Sequence, residues 1–186
     1  MKQQVYIVHG YTASPESNWF PWLRKELENQ GITTTILSMP DSHNPHYENW
    51  LGHLQSRIEL NEETILVGHS LGCVTILGYL NRLFPKTRIK GIVLVSGFIE
   101  KVSTLPELDE FNSPPQDFEH LIPYIQNRIA IYSLNDQIVP FYYSENLNQK
   151  LKTEYYAIEN GGHFLDRDGF EQFPLIYEKI LEIIKN

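Results

Sequence analysis

A Gly-His-Ser-Leu-Gly pentapeptide at residues 68–72 is the stretch of this sequence that most directly suggests chemistry. It lies between a short apolar run that ends at Val67 and an apolar segment with helical spacing that begins at Leu71. In a strand–turn–helix setting, Gly-x-Ser-x-Gly forms a tight turn that presents the serine hydroxyl above the edge of a sheet. The glycines lack Cβ atoms, so neighbouring backbone can approach the turn closely. The pattern therefore predicts that Ser70 is a nucleophile.

A base and an acid that could activate Ser70 follow later in the chain. A serine hydroxyl is a weak nucleophile at neutral pH and requires a base within hydrogen-bond reach. His163 is the candidate base, because an imidazole exchanges a proton near pH 7. Asp136 is the candidate acid, which would accept a hydrogen bond from the other ring nitrogen and fix its tautomer. Asp166 and Asp168 are rival acids, but they follow the histidine and lie away from any predicted strand end.

Six apolar runs predict β-strands, and most of them are separated by segments with helical spacing of apolar residues. The predicted strands cover residues 5–8, 32–37, 64–67, 89–95, 129–133 and 153–158. The predicted helices cover residues 19–31, 47–60, 71–84, 139–150 and 170–184, with Pro85 ending the third and Pro174 in the first turn of the last. This alternation predicts an α/β fold, a doubly wound, mostly parallel six-stranded sheet flanked by helices, in a single domain over residues 1–186.

The ends of the predicted strands indicate where a ligand would bind. Ligands of open parallel sheets bind beyond the carboxyl ends of the strands. Ser70, Asp136 and His163 each follow a different predicted strand, so the fold would bring them to one edge of the sheet. Their chain order, serine then aspartate then histidine, is that of the α/β-hydrolases and differs from the orders in chymotrypsin and subtilisin.

Five segments together carry a family resemblance. They are His-Gly at 9–10, Asn-Trp-Phe-Pro-Trp-Leu at 18–23, the pentapeptide at 68–72, Asn-Asp-Gln-Ile-Val-Pro at 135–140 and Gly-Gly-His-Phe at 161–164. With them the chain resembles the small serine hydrolases typified by bacterial YdeN and animal retinoblastoma-binding protein 9. The resemblance extends over most of the chain and implies a minimal α/β-hydrolase without a large cap domain. It implies hydrolysis of small carboxylic esters through an acyl-serine intermediate, with thioesters or amides as the alternative, and no cofactor.

The resemblance also implies donors for the oxyanion and contacts for the substrate. The backbone N–H groups of Leu71, at the start of a helix, and of Tyr11, after the first strand, would form the oxyanion hole. His9, Trp19 and His69 are candidate substrate contacts. For the two histidines the alternative is a role in shaping the loops, and for Trp19 it is packing in the core.

Residues 98–127 form the irregular part of the sequence, rich in proline and with acidic residues that outnumber the single lysine. They predict a long loop with short helical pieces, of which residues 117–126 are the best candidate. Loops of this length in compact domains are usually lids or binding loops. If Ser70 were unreactive, the alternative would be a catalytically silent interaction module that uses this segment.

The composition of the chain excludes some classes of binding partner. The 186 residues carry a formal net charge of −8, the wrong sign for nonspecific binding to nucleic acid or to anionic membranes. A small-molecule ester is the expected partner, and a protein partner is left open. Cys73 is the only cysteine, and its apolar setting indicates a small buried hydrophobe. No signal-peptide pattern or apolar run of membrane-spanning length occurs, so we expect a cytoplasmic protein.

A metal site is the remaining alternative. His43, His46 and His53 are the closest grouping of histidines, but no cysteine or paired carboxylate accompanies them. Zinc sites require tighter and more complete ligand sets, so we predict no metal.

Overall fold

The computed structural model describes residues 2–83 and 87–186, and its centre is one six-stranded sheet. The strands are β1 (Gln4–Val8), β2 (Thr33–Leu37), β3 (Thr64–His69), β4 (Ile89–Val95), β5 (Ile125–Ser133) and β6 (Glu154–Ile158). Their order across the sheet is β2-β1-β3-β4-β5-β6, and every neighbouring pair is parallel. The predicted doubly wound sheet is confirmed.

Helices cover both faces of the sheet. They are α1 (Phe20–Asn29), α2 (Tyr47–Arg57), α3 (Leu71–Leu83), α4 (Phe118–Leu121), α5 (Phe141–Leu151) and α6 (Pro174–Lys185). The buried side chains of α1 and α6 share one apolar cluster with one face of the sheet, and those of α2, α3 and α5 share a second with the other. Central strands with both faces buried are apolar along their whole length, which explains their clear signal in the sequence.

Strand β5 begins earlier than predicted. It starts at Ile125 rather than at residue 129, and Ile125 pairs with Ile89 of β4. The intervening residues 126–128 are polar and therefore carry no apolar pattern. They are held in the sheet by partners distant in sequence, since the Asn127 side chain donates to the Lys90 carbonyl at 2.8 Å.

The predicted helix over residues 117–126 is too long, because residues 125 and 126 belong to β5. Only α4 and a following 3-10 turn at Ile122–Tyr124 are helical there, and a second 3-10 turn lies earlier, at Pro106–Asn112. Helix α2 ends at Arg57 instead of residue 60, since Ile58 is extended. The predicted helix terminator Pro85 lies outside the described residues.

Helix α6 starts at Pro174 rather than at residue 170. Proline suits the first helical position, and it disfavours helical backbone in the residue before it. Phe170 and Phe173 instead pack their rings against Phe164, each with a centroid distance of 4.9 Å. These aromatic contacts tie the segment before α6 to the loop that follows β6.

The start of α3 packs directly against the end of β1. A Cβ atom added at Gly72 would lie 2.1 Å from the Val8 carbonyl oxygen, and one added at Gly68 would lie 2.9 Å from Cys73 Cα. No side chain fits in either position. Beside this turn Cys73 is fully buried, as predicted, and its thiol contacts the Val95 carbonyl.

The carboxyl ends of β1 and β3 lie side by side at the point where the winding of the sheet reverses. From β1 the chain goes outward to β2 and then returns past β1 to β3. Such a reversal opens a crevice between the loops that leave the two strands. Gly10 follows β1 and Ser70 follows β3, so both predicted site loops border this crevice.

Among the residues that the structure describes, no helix has the length and apolar character required to span a membrane.

The packing at Gly72 predicts a large loss of stability for Gly72→Ala. Because the added methyl would overlap the backbone of β1, we expect the free energy of unfolding to fall by about 3 kcal/mol or more. Gly52→Ala in α2 is the matched control, since nothing lies within 4 Å of its added Cβ. It should raise stability by roughly 0.5–1 kcal/mol, because alanine favours helix. Urea unfolding checks both values, and equal effects would contradict this account.

Candidate active site

Ser70 occupies a tight turn between β3 and α3. Its backbone is left-handed, with φ +53°, a conformation that costs energy for a residue with a side chain. The turn is held from both sides, because Ser70 N–H donates to the Val95 carbonyl at 2.8 Å and the Ser70 carbonyl accepts from Cys73 N–H at 2.9 Å. Ser70 Oγ makes no hydrogen bond to any described residue, and the side chain lines a cavity. The hydroxyl is therefore available to a base and a substrate.

Two backbone donors lie beside Ser70. The Gly10 backbone approaches the turn so closely that an added Cβ would lie 3.1 Å from Ser70 Cβ and 3.7 Å from Leu71 N. Within residues 2–83 and 87–186, neither the N–H of Tyr11 nor that of Leu71 has a hydrogen-bond acceptor. Leu71 is the first residue of α3, where N–H groups are unpaired within the helix and favour negative charge. This is the environment that an oxyanion requires.

Asp136 and His163 form a buried pair. Asp136 Oδ2 accepts from His163 Nδ1 at 2.7 Å, and the two side chains are 1% and 6% exposed. Asp136 Oδ1 accepts from the backbone N–H groups of Ile138 and Val139, at 2.8 and 2.9 Å. Because Nδ1 of the neutral ring carries the proton that it donates to the carboxylate, Nε2 is left as the basic nitrogen. His163 lines the same cavity as Ser70.

Side chains from three positions fix the loop that carries His163. Gly161 N–H donates to Ser133 Oγ and Gly162 N–H donates to Asn135 Oδ1, each at 2.8 Å. The third is Asp168, whose Oδ2 accepts from the backbone N–H of His163 at 2.9 Å. Asp168 was a rival acid by sequence, and the structure places its carboxylate on the backbone of the histidine rather than on the ring. None of these loop contacts was predicted from the sequence.

His69 supports His163 from behind. Its Nε2 donates to the His163 carbonyl at 2.8 Å, and the two rings lie 4.9 Å apart. Burial lowers the pKa of His69 to about 3, with the nearby His163 as the next cause, so this ring is neutral. A neutral ring does not oppose a positive charge on its neighbour. Of the three candidate substrate contacts, only His69 lines the cavity.

The other two candidate contacts lie away from the cavity wall. The His9 ring accepts from Met39 N–H at 3.1 Å through Nε2, and its Nδ1 donates to the Gly10 carbonyl at 2.9 Å. Its burial lowers its pKa. Trp19 is fully buried and packs edge-on against His69. The structure therefore places His9 in contact with the loop after β1 and Trp19 in the core behind the site.

The cavity above Ser70 has a volume of about 430 Å³. Its walls come from the loops after β1, β3, β5 and β6 and from the irregular segment 98–127. That segment contributes Thr104 and Leu105. Thr104 Oγ1 donates to the Ile138 carbonyl, and Ser103 N–H donates to the Tyr143 hydroxyl at 3.0 Å. These bonds join the wall to the loop that carries Asp136 and to helix α5, which follows that loop.

Ser96 is a further polar side chain at the site for which the sequence predicts no role. It follows β4, is fully buried and donates from Oγ to Asp136 Oδ2 at 3.0 Å. The signal in the sequence was its position directly after a predicted strand. That position predicts that the side chain lies at the carboxyl edge of the sheet, but it does not predict the hydrogen-bond partner.

The three histidines considered as metal ligands, His43, His46 and His53, do not form a metal centre. In the part of the chain that the structure describes, no group of three or more His, Cys, Asp and Glu side chains is arranged to hold a metal ion.

The burial of His69 predicts a dependence of stability on pH. The unfolded chain binds a proton on His69 below its ordinary pKa of about 6.5, whereas the folded protein does not until about 3. Stability from this group is complete above the upper value and is lost as the pH falls towards the lower one. Between them the slope of wild type should exceed that of His69→Gln by up to about 1.4 kcal/mol per pH unit. Equal slopes in urea titrations would contradict a neutral buried ring.

Comparison with known proteins gives consistent matches over nearly the whole chain. Residues 5–182 match the family model described as Serine hydrolase. The chain is 44% identical to YdeN of Bacillus subtilis (strain 168) over 179 residues, which are 96% of this chain and 94% of YdeN. It is 24% identical to Serine hydrolase RBBP9 of Rattus norvegicus over 160 residues, 85% of this chain and 84% of that protein.

A solved structure extends the match to three dimensions. The crystal structure of the ydeN gene product from B. subtilis superposes with a TM-score of 0.97 at 41% identity, covering 100% of both chains. The motif at residues 68–72, the strand order and these relatives agree, and the chain belongs to the serine hydrolase family with an α/β-hydrolase fold.

Proposed function

We propose that this serine hydrolase cleaves small carboxylic esters, with Ser70, His163 and Asp136 as its catalytic triad. The observation that carries the proposal is the buried 2.7 Å bond between Asp136 and His163, at the wall of the cavity that Ser70 lines. A carboxylate in this position fixes the imidazole tautomer and stabilises the imidazolium. The unbonded Ser70 hydroxyl in its left-handed turn is the nucleophile that such a pair would serve.

The first half of the reaction forms an acyl-serine. Ser70 Oγ attacks the carbonyl carbon of the ester while His163 Nε2 accepts the hydroxyl proton. The carbonyl oxygen becomes negative and accepts hydrogen bonds from the N–H groups of Tyr11 and Leu71. As the tetrahedral intermediate collapses, the imidazolium returns its proton to the leaving alcohol.

The second half releases the acid. A water molecule loses a proton to His163 Nε2 and attacks the acyl carbon, passing through a second oxyanion at the same donors. Collapse breaks the bond to Ser70 Oγ, which recovers its proton from the imidazolium. The protein returns to its starting state without a co-reactant other than water.

Esters are the first choice of substrate because their carbonyl carbon is more electrophilic than that of an amide, and an alcohol leaves more readily than an amine. The same atoms would attack a thioester, so thioesters are the alternative, ahead of amides. Assays with one acyl group presented as ester, thioester and anilide rank the three, and we expect the ester to be cleaved with a higher kcat/KM than the anilide.

Replacing the nucleophile tests the proposal. Ser70→Ala removes the only atom that could carry the acyl group, so kcat/KM for a p-nitrophenyl ester should fall at least about a thousandfold. Labelling by a fluorophosphonate probe should disappear as well. Circular dichroism and the melting temperature should stay close to wild type, because the hydroxyl makes no hydrogen bond to a described residue.

Ser56→Ala is the matched control, since it removes an exposed hydroxyl from α2. It should keep both activity and labelling. If wild-type protein is not labelled at Ser70, the hydrolase proposal fails, and the interaction module that uses residues 98–127 takes its place.

The size of the cavity predicts a preference for short acyl chains. A volume of about 430 Å³ lies toward the lower part of the range for small-molecule sites, roughly 300–1,000 Å³. In a p-nitrophenyl ester series from acetate to palmitate, kcat/KM should be highest at or below octanoate. Rates that rise steadily beyond octanoate would contradict the prediction.

A further inference from the structure

Ser96 occupies an unusual position at the end of β4. Its backbone is left-handed, with φ +48°, and the residue is fully buried. The Ser96 N–H donates to the Ile131 carbonyl at 2.9 Å, so the strained conformation is fixed to β5. A glycine would adopt this backbone without strain. What serine adds at this site is its hydroxyl.

The hydroxyl has one hydrogen-bond partner among the described residues, and that partner is Asp136. Ser96 Oγ donates at 3.0 Å to Oδ2, the oxygen that also accepts from His163 Nδ1 at 2.7 Å. The other carboxylate oxygen is held by the N–H groups of Ile138 and Val139. Asp136 thus has four donors among the described residues, and Ser96 is the one that directly follows a strand next to β5.

These donors differ in how they restrain the carboxylate of Asp136. The N–H groups of Ile138 and Val139 belong to the same loop as Asp136 and would move with it. His163 lies on a separate loop after β6, and its ring is the group that Asp136 must itself orient. A carboxylate anchored at one oxygen can still pivot about that anchor. Among the described residues, Ser96 is the one that bonds Oδ2 directly from the end of a strand, and that strand, β4, also accepts the Ser70 N–H.

We propose that Ser96 is a positioning residue, which acts through Asp136. It holds Oδ2 of Asp136 in the position from which that oxygen accepts the hydrogen bond of His163 Nδ1. The proposal rests on the proposed triad and adds a fourth member to it. Ser96 does not touch the substrate, since it is absent from the residues that line the cavity. Its loss should therefore lower kcat and leave substrate binding intact.

The test compares Ser96→Ala with Ser144→Ala. Ser144 is a matched control because it is also buried and its Oγ donates at 2.7 Å to the carbonyl of Gly97, the residue after Ser96. With a p-nitrophenyl ester, Ser96→Ala should lower kcat roughly ten- to a hundredfold, the scale of a small misplacement of catalytic groups. KM should change less than about twofold. Ser144→Ala should lose melting temperature but keep kcat within about threefold of wild type.

Ser96→Gly provides a second variant that favours folding. It removes the hydroxyl and relieves the left-handed strain, so its melting temperature should exceed that of Ser96→Ala. Its kcat should fall as far as that of Ser96→Ala. A wild-type kcat in either Ser96 variant, or a Ser144→Ala variant with the same loss of kcat, would overturn the positioning role.

Asp136→Asn separates this inference from the proposed function. If Asp136 is the triad acid, Asp136→Asn should lower kcat by about 10³–10⁴. Loss of activity there with a wild-type kcat in Ser96→Ala would overturn the role of Ser96 alone. Full activity in Asp136→Asn would overturn the triad itself.

Discussion

The close approach of α3 to the end of β1 is the constraint on which the rest of the site depends. It is possible because Gly72 has no side chain and its backbone lies against the Val8 carbonyl. This contact brings the first turn of α3 beside the loop after β1. The same contact forces the chain to turn within one residue, Ser70, which accepts a left-handed backbone. This packing brings the proposed nucleophile beside two backbone N–H groups that have no acceptor among the described residues.

A series of backbone hydrogen bonds fixes the loops at this edge of the sheet to the neighbouring strands. The first residue after β3, β4 and β5 donates its N–H to a carbonyl at or near the end of the next strand in the sheet, in the pairs Ser70 to Val95, Ser96 to Ile131 and Leu134 to Ile158. The loops that carry Ser70, Ser96 and Asp136 are therefore held in one register. Left-handed non-glycine residues are concentrated at this edge, at Thr12, Asn18, Ser70, Ser96 and Phe164. Strain of this kind persists where the surrounding structure fixes it, which is common at functional sites.

The sequence allowed the architecture to be predicted because both faces of the central strands are buried. Such strands are apolar throughout, whereas the polar start of β5 at residues 126–128 was missed because its partners lie in other elements. The proposed triad could be placed because Ser70, Asp136 and His163 each follow a strand. The order of these residues can be read directly from the sequence, and the strand ends are predicted from the apolar runs that precede them.

The supporting contacts could not be predicted, because they depend on adjacency in space. Ser96 and Asp136 are forty residues apart, and no local pattern connects them. Asp168 lies close to His163 in sequence, but only the turn of the loop shows that its carboxylate accepts the histidine N–H. From the sequence alone, Trp19 could line a pocket or pack in the core. The structure places it fully buried against His69.

In the proposed mechanism, Ser70, His163 and the N–H groups of Tyr11 and Leu71 surround one reacting atom. A crystal structure of the protein after reaction with a fluorophosphonate is the decisive measurement. We expect phosphorus bonded to Ser70 Oγ and a phosphoryl oxygen about 2.7–3.1 Å from both backbone nitrogens. An adduct on another residue, or a phosphoryl oxygen directed away from these two N–H groups, would contradict it.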